Sequence, residues 1–258
     1  MITRRKFISL AATSAAALSL GACQRQPGVP QEILLPGSKK KGLGQTVKIP
    51  EWAGRLTDLR CKWFYSWNNS IPQGIPHGME FIPMIYRYGG DPGAITDTAA
   101  AAKKAGITEL LGFNEPDAKK QDDMTVKDAL DAWPLLMETG LRLGSPACVH
   151  PDKDWMVEFM AGVEERKLRV DFVCVHSYGK PNPEALVSRL QNVYKMFKRP
   201  IWITEFAVGD WQAKSLEEHE HSPQDVLRFM EKVLPRLDNL DFLERYAWYP
   251  AGPDSIPL

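Results

Sequence analysis

Short apolar runs that alternate with amphipathic segments constrain the fold of this chain more than any other feature. Cys61–Trp67, Glu80–Ile85, Glu109–Phe113, Leu141–Ser145, Val170–His176, Ile201–Glu205 and Arg245–Trp248 read as strands. Several are apolar at nearly every position, as expected for parallel strands buried on both faces. The segments between them carry helix patterns with end signals. Ile95–Ala105 runs to a stop at Gly106, and Thr125 caps a helix carrying Val126, Ala129, Leu130 and Trp133, with a kink expected at Pro134 and a stop at Gly140. Trp155, Met156, Phe159, Met160 and Val163 form another apolar stripe. Asn182-Pro183 and Ser222-Pro223 each set a capping residue before a proline at the first helical position. This alternation gives a parallel sheet clothed by helices, open or closed. The visible strands are one short of a small (β/α)8 barrel with short loops. The eighth is expected between Trp67 and Glu80, where Pro72, Gly74, Pro76 and Gly78 obscure any pattern.

The first residues read as an address. Thr3-Arg4-Arg5-Lys6-Phe7 is similar to a twin-arginine export signal, and the Ala-rich run from Ile8 to Gly21 is too short to span a bilayer. Leu20-Gly21-Ala22-Cys23 resembles a lipobox, which makes Cys23 the lipidated residue after removal of residues 1–22; the competing reading is a plain secretory signal. Residues 23–50, rich in Pro, Gly, Gln and Lys, read as a flexible tether, and 51–258 as a single domain. The expected location is the cell envelope of a bacterium, on the periplasmic face or outer membrane. Gln24 after Cys23 leans outward. Cys61, Cys148 and Cys174 lack metal spacing and are expected to be buried free thiols.

The 258 residues carry 32 Lys+Arg against 32 Asp+Glu, and zero net charge argues against a nucleic-acid partner. The chemistry lies at strand ends. Leu110-Leu111-Gly112-Phe113-Asn114-Glu115-Pro116 runs from an apolar strand into a carboxylate, and Pro116 is expected to hold Glu115 extended. Ile201-Trp202-Ile203-Thr204-Glu205 repeats the device. Val175-His176-Ser177-Tyr178 and Tyr246-Ala247-Trp248-Tyr249 end two more strands in polar aromatic and aromatic groups. In a parallel barrel these residues converge at the C-terminal rim. Two facing carboxylates among His, Tyr, Asn and Trp suit glycoside hydrolysis: one carboxyl delivers a proton to the leaving oxygen, and the other, ionised and held by donors such as Tyr178, attacks the anomeric carbon. Asn114 is placed to bond a sugar hydroxyl, and Trp67, Tyr86, Trp211 and Trp248 to stack on pyranose faces. For His176 the competing reading is a satisfied core histidine, for Trp248 a core plug. Asp117 reads as a helix cap or a sugar contact.

Phe113-Asn114-Glu115-Pro116 with Thr204-Glu205-Phe206 resembles the clan of retaining (β/α)8 glycosidases whose glutamates follow strands four and seven. Gly112–Asp117, Val175–Tyr178, Tyr246–Trp248, Pro83-Met84 and Trp63–Trp67 are similar to glycoside hydrolase family 128, over about residues 60–250. The resemblance implies a β-1,3-glucanase without cofactor or metal, with Glu115 as acid/base and Glu205 as nucleophile. It also implies Asn114, His176, Tyr178 and Trp248 around the substrate. The expected protein is a retaining, endo-acting monomer whose partners are a β-glucan and, through the lipobox at Cys23, the membrane. The loop Val208–Ser222, with Trp211 and the acidic run around His219 and His221, departs from the family pattern and leaves the linkage open. It reads as a solvated lid. The alternatives are a non-catalytic carbohydrate-binding lipoprotein on a degenerate barrel and a barrel glycosidase for another β-linked polysaccharide.

Overall fold

The computed structural model describes residues 37–215 and 217–249. The signal, Cys23 and the first part of the tether lie outside the described residues. Among those described, the chain forms eight strands and six helices in the order β1 (Lys41–Gly44), α1 (Trp52–Asp58), β2 (Trp63–Tyr65), β3 (Glu80–Phe81), α2 (Pro92–Ala105), β4 (Glu109–Leu110), α3 (Val126–Glu138), β5 (Arg142–Leu143), α4 (Asp154–Glu165), β6 (Val173–Gly179), α5 (Pro183–Phe197), β7 (Ile201–Val208), α6 (Pro223–Asp238) and β8 (Leu243–Trp248).

All strand pairs are parallel, and the strands close on themselves. Ladders give the order β3-β2-β1-β8-β7-β6 and a separate pair β4-β5. Bridges Met84–Leu111, Gly144–Phe172 and Cys148–Val175 join those two groups on both sides. The result is the eight-stranded barrel. The expected helices form with their caps: Thr125 accepts from Asp128 N–H at 3.1 Å, Asn182 from Ala185 N–H at 3.0 Å, and Ser222 and Asp225 complete a capping box. The third helix continues through Pro134 to Glu138.

The missing strand is not where sequence placed it. No strand lies between Trp67 and Glu80; the eighth is β1, inside the segment read as a tether, so the barrel begins at least ten residues before position 51. Its Lys-Gly-Leu-Gly sequence is explained by what it faces. Leu43 packs outward with Leu56 and Phe64. At inward-facing Gly42 and Gly44, an added Cβ would sit 2.3 Å from the Trp63 ring and 2.9 Å from the Trp67 ring. The glycines make room for two tryptophans. Gly42→Ala is therefore expected to cost about 1–3 kcal/mol, the usual cost of overpacking. That lowers Tm by about 2–12 °C in a domain of this size, as a thermal melt would show. Lys40, in the same segment, donates from Nζ to the carbonyls of Asp238 and Leu240, both at 2.9 Å, and so caps the end of α6. Of the run Lys39-Lys40-Lys41, at least this lysine has a structural task.

The barrel interior holds Trp63, Tyr65, Ile82, Met84, Leu111, Ala147, Phe172, Cys174, Trp202 and Ala247, separate from the larger core between strands and helices. Trp202 stacks on Phe172 at 4.1 Å, and the Arg245 guanidinium lies 4.5 Å from its ring. Arg245 bonds Glu80 at 2.6 Å and Arg142 bonds Glu244 at 2.7 Å. These pairs close the N-terminal end of the barrel, leaving the opposite rim for chemistry. Cys61, Cys148 and Cys174 are free and buried.

Candidate active site

Side chains from five strand ends meet at the C-terminal rim. Glu205 reaches it through an irregularity in β7. Along this strand Trp202 points inward and Ile203 outward. Simple alternation would then send Glu205 outward. Instead the register shifts by one residue: Val175 pairs with Ile203 but His176 with Glu205, and on the other side Tyr246 pairs with Ile203 but Trp248 with Phe206. Thr204 is the extra residue of a bulge, and the bulge turns Glu205 into the barrel.

Glu115 follows β4 by a second irregularity. Its φ is 45°, in the left-handed region, which corrects the extended conformation expected from Pro116. A non-glycine residue there stores about 1–3 kcal/mol of strain. The turn is over-determined by its neighbours: Glu115 N–H donates to Ala147 O at 2.8 Å, Ala118 N–H to Glu115 O at 3.0 Å and Met124 N–H to Pro116 O at 3.1 Å. Trp67, which contacts the other glutamate, is also left-handed at φ 53°.

The two carboxylates share a histidine. His176 Nδ1 lies 2.8 Å from Glu115 Oε1 and 3.5 Å from Glu205 Oε2, and the ring is fully buried. Glu205 is 4% exposed and Glu115 9%. Tyr65 Oη donates to Glu205 Oε1 at 2.8 Å, Trp67 Nε1 to the same oxygen at 2.7 Å, and Tyr178 Oη to Oε2. An ionised carboxylate only accepts, and Glu205 meets three donors. Both phenols are held well above the usual tyrosine range by burial and then by the Glu205 charge, so they stay protonated and keep donating. Burial alone would lower the His176 pKa. The Glu205 charge, with the hydrogen bond and charge of Glu115, outweighs it and leaves His176 above its ordinary value.

One oxygen of each carboxylate and a ring nitrogen of His176 lie within 4.8 Å of one another, a donor set that a divalent cation could use. Tyr65, Trp67 and Tyr178 already donate to the Glu205 oxygens, which suits nucleophilic displacement at a sugar carbon better than cation binding. The nearest carboxylate oxygens of Glu115 and Glu205 lie within 4.8 Å of each other, so the two groups face one another across a narrow gap.

The other sequence candidates divide. Asn114 is buried beside Glu115, its N–H donating to Tyr86 O at 2.9 Å. Tyr86 sits at the rim with its hydroxyl 2.5 Å from Gln121 Oε1. Trp211, 64% exposed, stands edge-on to Tyr178 at 5.9 Å and lines a cavity of about 630 Å³ with Lys180, Asp210 and Glu220. His176 lies beneath the carboxylates, not on the cleft surface. Trp248 is not brought to the glutamates: it follows inward-facing Ala247 and so points the other way, packing edge-on against Phe206 at 5.0 Å. His221 N–H donates to His219 Nδ1 at 3.1 Å within their own loop. Two residues were missed. Tyr65 was hidden in an apolar run that read only as core. Tyr249, one past Trp248, packs against Trp67 at 5.6 Å and Tyr178 at 5.8 Å.

Residues 49–255 match the family described as glycosyl hydrolase catalytic core. A glycoside hydrolase family 128 subgroup I endo-β-1,3-glucanase from Amycolatopsis mediterranei, solved with laminaritriose, is 38% identical, with a TM-score of 0.72 over 81% of this chain and 88% of that one. The chain belongs to glycoside hydrolase family 128. A second family 128 structure, a subgroup III curdlan-specific exo-β-1,3-glucanase from Blastomyces gilchristii, is 28% identical with a TM-score of 0.68, over 83% of this chain and 90% of that one. Alkali-sensitive linkage protein 1 of Schizosaccharomyces pombe is 29% identical over 207 residues, 77% of this family 128 chain, which spans 36% of that relative's length.

Proposed function

We propose that this chain is a retaining endo-β-1,3-glucanase, with Glu205 as nucleophile and Glu115 as acid/base. The observation that carries the reading is the pair of carboxylates from β4 and β7, joined through one histidine nitrogen. In the first step Glu115 gives its proton to the glycosidic oxygen while a Glu205 oxygen attacks the anomeric carbon; the leaving chain departs as an alcohol and a glycosyl ester forms on Glu205. In the second step Glu115, now ionised, takes a proton from water, and the water oxygen displaces Glu205 with a second inversion. Tyr65, Trp67 and Tyr178 hold the nucleophile in place, and Asn114 stands beside the acid to bond a sugar hydroxyl. Tyr86 and Trp211 offer aromatic faces along the rim.

Support for the substrate comes from relatives: the Amycolatopsis enzyme was solved with laminaritriose and, with a glutamate replaced by glutamine, with laminarihexaose. The test is to incubate the protein with laminarihexaose and with linear β-1,4- and β-1,6-glucans, and to follow the first anomer released by NMR. Shorter β-1,3 oligomers born as the β anomer are expected; the α anomer, or cleavage of only another linkage, overturns the reading. The chain is further proposed to act as a monomer at the bacterial envelope, exported through Arg4-Arg5 and anchored by lipid on Cys23. Cys23→Ser should move it from the membrane fraction to the soluble fraction in cells; unchanged fractionation would refute the anchor.

A further inference from the structure

The turn that carries Glu115 is fastened to a neighbouring loop by one side chain. Asp117 Oδ1 accepts from Val149 N–H at 2.9 Å, and its Oδ2 from His150 N–H at 3.0 Å. A single carboxylate thus receives two consecutive backbone amides of the loop between β5 and α4. The same loop contains Ala147, whose carbonyl accepts from Glu115 N–H and whose N–H donates to Phe113 O. The Glu115 turn is therefore held at its base by backbone and at its outer end by Asp117. Left-handed geometry at Glu115 needs such support, because a side chain in that conformation relaxes when its surroundings allow.

We propose that Asp117 is a positioning residue for the acid/base, neither a helix cap nor a sugar contact: it locks the strained turn so that the Glu115 carboxyl meets the glycosidic oxygen. This rests on the acid/base reading of Glu115. The charge of Asp117 also acts on the proton network: burial disfavours the His176 cation, while Glu205, Glu115 and Asp117 favour it. Displacing a proton donor by about 1 Å is enough to cost about 100-fold in rate.

The test separates positioning from general damage by changing the leaving group. Laminarihexaose needs a proton on its departing oxygen; a 2,4-dinitrophenyl β-laminaribioside does not, since its phenolate leaves unaided. The quantity read is kcat/KM, which reports the first displacement. Asp117→Ala should lower kcat/KM on laminarihexaose about 10–100-fold, an effect of the size expected for displacement of a catalytic group. On the dinitrophenyl substrate it should change kcat/KM by less than about threefold, the acid being idle there. Asp117→Asn, which keeps one acceptor, should lie between Asp117→Ala and the parent, and it covers the case that the alanine variant folds poorly. Equal losses on both substrates, or no loss on either, would overturn the proposal. Glu115→Gln is run beside them. If it loses only laminarihexaose activity while Asp117→Ala loses both equally, the acid assignment stands and the positioning role falls. If Glu115→Gln itself loses both equally, the acid assignment falls, and the role of Asp117 with it.

Discussion

Glu205→Ala is expected to lower turnover of laminari-oligosaccharides by about 10⁴–10⁶-fold, the size of loss found when one member of a catalytic unit is removed. The strand ladders around β7 are made by backbone, so far-ultraviolet circular dichroism should match that of the parent. The chemistry can be tested more sharply than by loss alone. Removing the carboxylate leaves space beneath the anomeric carbon, lined by the donors of Tyr65, Trp67 and Tyr178. Azide is small and anionic enough to enter it. It should restore part of the activity on an activated aryl β-glucoside oligomer and yield the α-glycosyl azide, because it attacks from the face that Glu205 occupied. Near-parent hydrolysis, or a β-glycosyl azide, would remove Glu205 from the nucleophile's place.

Glu115→Gln should reduce hydrolysis of unactivated β-1,3-glucan by about 10²–10⁴-fold, the usual contribution of a general acid. Glutamine keeps the shape and a carbonyl oxygen for His176 but holds no proton to give. The loss should follow the basicity of the leaving group across a series of aryl oligoglucosides, small for dinitrophenol and large for phenol. A loss independent of the leaving group would mean that Glu115 binds substrate and does not protonate it. The two variants should therefore be told apart by azide product and by leaving-group dependence, although both are nearly inactive on the polymer.

The glutamates were readable because an apolar strand that ends in a carboxylate is costly without a task, and because the strand count between them matches positions four and seven. Helices were readable from their caps: Thr125, Asn182 and Ser222 each bond the amide expected of them. What escaped reading has physical causes. Strand β1 is half glycine because its inward positions face Trp63 and Trp67, so the residues that mark a strand are absent where the barrel is tightest. The conformation of Glu115 follows from its hydrogen bonds with Ala147 and Ala118 and from the Met124 bond to Pro116 O, which local rules about proline do not contain. Strand β8 ends in two aromatics, Trp248 and Tyr249, and only the pairing with β7 and the packing of Tyr249 on Trp67 and Tyr178 show which one reaches the site. The bulge at Thr204 is invisible in a run of apolar residues, yet it decides where Glu205 points.

The position of β1 also bears on how the molecule assembles. Lys41 pairs with Tyr246 and Leu43 with Trp248, residues near opposite ends of the described chain. The ring cannot close until the last strand is made, since the ladder that seals it spans nearly the whole sequence. Long-range closure of this kind makes folding slow, and partly made chains expose unpaired edges of β1 and β7 to their neighbours. A chain shortened to begin at residue 51, where composition alone would start the domain, would keep both glutamates and every helix, yet leave β2 and β8 as open edges prone to aggregate.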